Sequence, residues 1–162
     1  MTKINLLANY QNWDYDKCLK NFLKKKKKND KKENILIAAL LIHAAKIDEN
    51  YTNDEKDLIK KALINLYSIN SQEADELLKV AEAKEHESNQ ILEFTREIKN
   101  KSMEFRLKII EILWKIVYSD GTSDNYESNL IRRLCGLLYI SDKDSGMIKL
   151  KVQNLKNNLW PT

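Results

Sequence analysis

Two stretches of this chain are too apolar to lie on any surface, and each is followed by the same kind of turn. "ENILIAALLIHAAKI" spans about residues 33–47 and "SMEFRLKIIEILWKIVY" about 102–118. A helix that is apolar nearly all round must be covered on every side, so both segments belong at the centre of whatever forms. Behind the first comes "AKIDENYTNDEKDLIKK"; 72 residues later, behind the second, comes "YSDGTSDNYESNLIRR". In that register Leu41 aligns with Leu113, Asp48 with Asp120 and Glu55 with Glu127. Leu58-Ile59 aligns with Leu130-Ile131, Leu66 with Leu138 and Tyr67 with Tyr139. Each half reads as a buried helix, an acidic turn, an amphipathic helix and a capped further helix. A helical hairpin used twice about a pseudo-twofold axis is the simplest geometry, with the two apolar helices against each other.

The remaining segments are helical as well. The chain has 1 Pro and 3 Gly, too few for a fold built on hairpin turns, and no strand periodicity competes. Residues 13–28 predict a helix with Tyr15, Cys18, Leu19, Phe22 and Leu23 on one face, running out in "KKKKKNDKK". Further helices are expected over about 53–68, from Ser71, over about 89–99, 124–139 and 142–157. Asn70 and Glu73 stand at capping-box spacing before the one that starts at Ser71, and "AKEHESNQ" reads as the polar break after it. The expectation is an all-α bundle of about seven to eight helices, with residues 1–32 as a basic amphipathic helix or arm and 33–158 as the main domain.

Charge is divided the same way. Residues 1–32 hold 10 lysines against 3 acids, whereas the rest holds 18 basic residues against 21 acids. The formal net charge of +4 therefore reports a basic arm on a slightly acidic body. Lys24, Lys25, Lys26, Lys27, Lys28, Lys31 and Lys32 read first as a solvated helix end. Beside Tyr10, Trp13 and Phe22 they also suit an anionic membrane surface, and less well nucleic acid, since lysines without base-reading elements carry no specificity. No signal-peptide core opens the chain, and the longest apolar run, Ile35 to Ala45, is shorter than the ~20 residues that span a bilayer. Cys18 and Cys135 lie on apolar stripes and are expected reduced. A cytoplasmic protein, peripheral at most to the inner face of the membrane, is the expectation.

The acidic turns invite a metal reading. Asp120 to Glu127 is too short for a twelve-residue calcium loop, and its glycine comes second instead of centrally, so it is not an EF-hand. Asp120, Asp124 and Glu127 could still converge on calcium or magnesium with backbone carbonyls. A simpler use competes: Thr52-x-x-Glu55 and Asp124-x-x-Glu127 are both capping boxes, in which an N-cap oxygen meets the N3 amide and the glutamate reaches back. Gly121, or Asn50 in the first copy, suits the left-handed end of the preceding helix.

Taken together, "IHAAKIDENYTNDEKDLI", "HESNQILEFTREI" and "EILWKIVYSDGTSDNYESNLIRRLCGLLYISDKD" resemble the tellurite-resistance TerB family. The resemblance covers roughly residues 33–152 and leaves the basic arm outside. It implies an all-helical domain of about seven helices of the kind found in bacterial stress and metal-resistance systems. A similar domain is attached to some membrane-bound J-domain co-chaperones. It also implies a divalent cation at acidic positions that here are Asp48, Glu55, Asp120 and Glu127. One departure stands out: Glu49 occupies the place of Gly121, so the tight Asp-Gly turn occurs once.

Other chemistry lacks residues. His43 lies on the most apolar helix and reads as a core or end-of-bundle histidine. His86, among Glu82, Glu85 and Glu87, reads as a solvated helix end. Two distant histidines without Cys-x-x-Cys leave zinc without ligands, and no phosphate loop or Gly-x-Ser-x-Gly is present. The expected function is a non-enzymatic module that binds partner proteins, with calcium or magnesium at the acidic turns as an added possibility. The alternative is a membrane-surface or nucleic-acid adaptor acting through the lysines.

Overall fold

The computed structural model describes residues 15–47, 51–88, 90–119 and 125–159, and side chains over 30–47, 51–88, 90–119 and 128–155. Every regular element among these residues is a helix: α1 Tyr15–Ala45, α2 Asn53–Tyr67, α3 Ser71–Glu87, α4 Ile91–Ile98, α5 Met103–Val117, α6 Asn125–Leu137 and α7 Asp142–Leu159. The all-α expectation holds, with seven helices among the described residues, and one expected boundary is corrected. The segments expected as separate helices over 13–28 and 33–47 form a single helix of 31 residues. Lysine is a good helix former, like-charge neighbours cost only tenths of a kcal/mol, and neither Pro nor Gly interrupts "KKKKKNDKKE". A second correction concerns α3, which runs on through "AKEHE" to Glu87, past the expected polar break.

The chain divides into two units, Met1–Lys32 and Glu33–Thr162. In the second, the two apolar segments are the most deeply buried elements. Leu36 to Ile42 are buried without interruption, followed by Ala44 and Ala45; in α5 the buried set is Ile109, Ile110, Ile112, Leu113, Trp114, Ile116 and Val117. The helix packed most extensively on α5 is α7, with α6 and α2 also against it; α2 further packs on α3, and α6 on α4 and α7. Glu33 on α1 is held by Lys101, whose Nζ lies 2.6 Å from its carboxylate.

The 72-residue register survives folding. Helices α1 and α5 end at Ala45 and Val117, and α2 and α6 begin at Asn53 and Asn125, so both boundaries coincide across the repeat. Leu41 and Leu113, and Ile59 and Ile131, are fully buried pairs. Two helix starts follow their caps. Asn70 accepts from the Glu73 amide at 2.8 Å, while the return bond runs between side chains, Asn70 Nδ2 donating to Glu73 Oε1 at 3.2 Å. At α5, the Ser102 hydroxyl accepts from the Phe105 amide at 3.2 Å.

The halves part company where α2 and α6 end. Ser68 closes α2 in the left-handed region at φ 51°, whereas Tyr139 takes that conformation after α6 at φ 56°. At α6 the Ile140 amide bonds the Cys135 carbonyl at 2.9 Å and the Tyr139 amide bonds Gly136 at 3.4 Å. This is a Schellman motif with tyrosine in the place that glycine usually takes. Ile140 and Cys135 are both buried, the apolar contact that accompanies the motif.

If the two central helices are equivalent, emptying matched core positions is equally costly. Leu41→Ala and Leu113→Ala are each expected to lower unfolding free energy by roughly 3 kcal/mol, within the range for fully buried leucines. Urea denaturation of the two variants checks the symmetry.

Candidate functional site

The first acidic turn builds a charged corner where α1, α2 and α3 meet. Thr52 is the N-cap of α2: its Oγ1 accepts from the Glu55 amide at 3.2 Å, and its own amide donates to Glu55 Oε2 at 3.1 Å. Both halves of the capping box are thus formed, satisfying two amides that a helix start otherwise leaves open. Glu55 is buried in making it.

Deeper in the same corner lies Glu85 of α3, 5% exposed. The His43 Nδ1 is 3.3 Å from one carboxylate oxygen, and Lys46 Nζ donates to the other at 2.8 Å. Burial pushes the Glu85 carboxyl up, but the bonds from Lys46 and His43 outweigh it and hold it below the ordinary value. Tyr51 completes the arrangement. Its hydroxyl donates to Glu82 at 3.3 Å, and Lys56 reaches the same Glu82 oxygen at 3.1 Å. The ammonium groups of Lys46 and Lys56 stand 5.8 and 5.3 Å from the Tyr51 ring centroid, within cation–π range. Burial, then the Glu82, Glu55 and Glu85 carboxylates, drive the Tyr51 hydroxyl well above its ordinary pKa. The corner is therefore a network of three acids that already hold their counter-charges or backbone amides.

Of the residues expected at a cation site, Glu55 lies at this corner. Asp48, Asp120 and Asp124 fall outside the described residues; Glu127 lies on α6, with its side chain outside them. Among the described residues, no three His, Cys, Asp or Glu side chains converge as a metal site would require. Lys24, Lys25, Lys26, Lys27 and Lys28 lie on α1 with side chains outside the described set, and Lys31 and Lys32, also on α1, are exposed. His43 is a half-buried histidine at the end of α1, its ring tilted against Phe94 with centroids 6.2 Å apart. His86 is exposed, and Glu85, grouped with it by sequence, turns the other way.

That inward turn was legible in principle. Glu85 continues the stripe Ala74, Leu78, Ala81, all buried, at helical spacing. Its partners were not legible, because His43 and Lys46 lie about forty residues back, at the end of α1 and in the turn just after it. Tyr51, in a turn with no periodicity, gave no signal at all.

A second buried polar contact joins the other hairpin. Trp114 Nε1 donates to Ser145 Oγ at 3.3 Å, Trp114 stacks on Tyr118 with centroids 5.8 Å apart, and Gln153 donates to the Tyr118 hydroxyl at 2.7 Å. Cys135 is buried and free, and burial pushes its thiol up, away from the reactive thiolate.

The model of the family described as Tellurite resistance protein TerB matches residues 34–150, most of the chain and both copies of the hairpin. The chain belongs to the TerB family. The match begins at residue 34, two residues after the last lysine of the basic run. Comparison with curated proteins and with solved structures gave no match. The TerB domain of this chain thus contains the Glu85 corner in full, with His43, Lys46, Tyr51, Glu55 and Glu82 all inside the matched span. No helix among the described residues is long and apolar enough to cross a membrane.

The Glu85 network sets a pH dependence for the TerB domain. Since the native carboxyl is held below its unfolded value, the unfolded chain takes up the proton first as pH falls. The network's contribution is complete above the unfolded value of about 4.3 and drains away as pH drops through the native one. Glu85→Gln is expected to lower stability at pH 7 and to flatten its decline between about pH 5 and 3, as read by urea midpoints across that range.

Proposed function

We propose that this TerB domain acts by binding partner proteins and not by catalysis, and that α7 presents the surface. One observation carries the reading. Met147, Leu150 and Leu155 are 61%, 59% and 45% exposed. Together with Lys151 and Asn154 they line one shallow groove, at positions three, four, seven and eight along a single helix face. The opposite face of α7 is spent on α5, with Val152 buried and Ser145 bonded to Trp114. An apolar stripe rimmed by polar side chains on a rigidly packed helix suits association with another protein.

The described acids support a structural role for the first turn. Glu55 is bonded to the Thr52 amide, Glu82 to Lys56 and Tyr51, and Glu85 to Lys46 and His43. These three side chains as they stand do not fit a hard cation, which takes several oxygens free of ammonium neighbours. We accordingly assign Glu55 to helix capping. A site for calcium or magnesium would rest on Asp48, Asp120, Asp124 and Glu127.

Both parts have direct tests. A photo-crosslinking amino acid placed at Met147 in cells is expected to give discrete protein adducts, whereas one at exposed Lys79 of α3 gives none. No adducts at Met147, or the same adducts at both positions, would reject the assignment. Millimolar calcium or magnesium is expected to leave the melting temperature unchanged, and Glu55→Gln to cost about 1 kcal/mol with or without the ion. A rise in melting temperature equivalent to about 2.7 kcal/mol of stability, that of a ligand at 100 times its dissociation constant, would restore the cation reading.

A further inference from the structure

A second surface stands apart from the α7 stripe, at the junction of α4 and α6. Leu92, Arg96 and Lys99 of α4 and its end face Gly136, Leu137 and Tyr139 of α6 and its end across an open groove of about 320 Å³. That volume lies at the small end of ligand pockets. The groove joins two of the most exposed large apolar side chains, Leu92 at 58% and Tyr139 at 71%.

Its electrostatics have one sign. Arg96 and Lys99 line it and no acid does. Among the described residues neither forms an ion pair within 4 Å, unlike the lysines of the Glu85 corner. Of the two acids on α4, Glu93 bonds the Ser88 hydroxyl at 2.6 Å and Lys84 at 2.9 Å and lies within reach of the Arg96 charge, and Glu97 does not line the groove. Arg132 and Arg133, both exposed, stand one turn before Gly136 and Leu137 on α6, outside the groove lining itself.

The tyrosine itself argues for use. A bulky side chain in the left-handed region is strained, and glycine or asparagine closes a Schellman motif at lower cost. The repeat offers an internal comparison. Tyr67, its counterpart in the first hairpin, is half-buried, with a hydroxyl that has no hydrogen-bond partner among the described residues. Tyr139 instead stands out over the groove at φ 56°. A strained residue that displays an aromatic ring beside two cations points to use in contact.

We propose that the α4–α6 groove binds an acidic peptide segment of a partner protein, with one large apolar side chain seated between Leu92 and Tyr139 and its carboxylates on Arg96 and Lys99. This deepens the partner-binding reading but rests on a separate surface, so crosslinking at Met147 and the experiment below fail independently. A protein segment suits a concave groove with two lining cations better than a lipid surface does, which favours broad basic faces.

The groove floor supplies a clean variant. A Cβ added at Gly136 meets no atom within 4 Å, so a larger residue there fills the groove without disturbing the core. A phage-displayed library of random dodecapeptides is panned against the full chain and the recovered peptides are synthesised. Recovered sequences are expected to be net negative with one or two of Leu, Ile, Met or Phe. Their affinity should fall at least tenfold with Arg96→Glu or Gly136→Leu, and with added salt. Gly136→Leu should keep the wild-type melting temperature or exceed it. Tyr139→Gly should raise the melting temperature while weakening binding at least fivefold, a split that a purely structural tyrosine would not give. No enrichment overturns the proposal, as does recovery of neutral or basic sequences, or binding indifferent to these substitutions. Sedimentation with phosphatidylserine vesicles that Arg96→Glu abolishes would give the groove to a membrane and overturn it equally.

Discussion

Covering two helices that have almost no polar face dictates the rest of this structure. Apart from His43 in the first and Glu111 and Lys115 in the second, Leu36 to Ala45 and Ile109 to Tyr118 leave water nearly completely, and helices so largely buried need amphipathic neighbours around most of their circumference. The chain places an amphipathic helix behind each apolar one after the same kind of turn; α6 packs directly on α5, and α2 on α3 and α5. Helices α3, α4 and α7 close the remaining faces. Everything polar near the centre must then be satisfied internally, since an unpaired buried charge costs several kcal/mol. Among the described residues, Glu85 with Lys46 and His43, Glu55 with the Thr52 amide, and Trp114 with Ser145 show that requirement.

This explains how carboxylates that suggest a metal can serve architecture. The same oxygens that would ligate a cation also accept backbone amides and ammonium groups, and at the first corner the described acids are spent on those partners. Glu55 faces the Thr52 amide, and Glu82 and Glu85 face lysines. Duplicated ancestry does not hold the copies identical. His43 corresponds in register to Lys115, which is exposed and lies 3.6 Å from Glu111 instead of reaching a buried carboxylate. Tyr67 and Tyr139 have diverged from a half-buried ring to a displayed one. In the second copy the position is displayed, and in the first it is packed.

Periodicity and the repeat made much of the fold legible. Leu41 with Leu113 and Ile59 with Ile131 could be named as core partners from spacing alone, and the TerB resemblance followed from the turns between them. The long α1 was misjudged because a run of charge looks like a linker, although lysines propagate a helix well and only Pro or Gly would have stopped it. The corner was half legible. The Thr52–Glu55 box is local and could be read; the Glu85–Lys46–His43 contact is tertiary, and no window of sequence contains it. The groove between α4 and α6 was invisible for the same reason, and because nothing in sequence reveals that Tyr139 adopts a left-handed backbone.

The proposed function rests on faces that the core does not use. The proposed α7 stripe and α4–α6 groove are both mounted on helices whose other sides pack on the bundle, so a partner bound there would meet a surface already ordered. That advantage holds only if the bundle is one cooperative unit around its two central helices. Native-state hydrogen exchange measures this directly. Amides of residues 36–45 and 109–117 are predicted to exchange last and together, with the free energy of global unfolding. Exchange of one segment by local opening, well before the other, would show that the two helices do not form a common centre and would contradict the account.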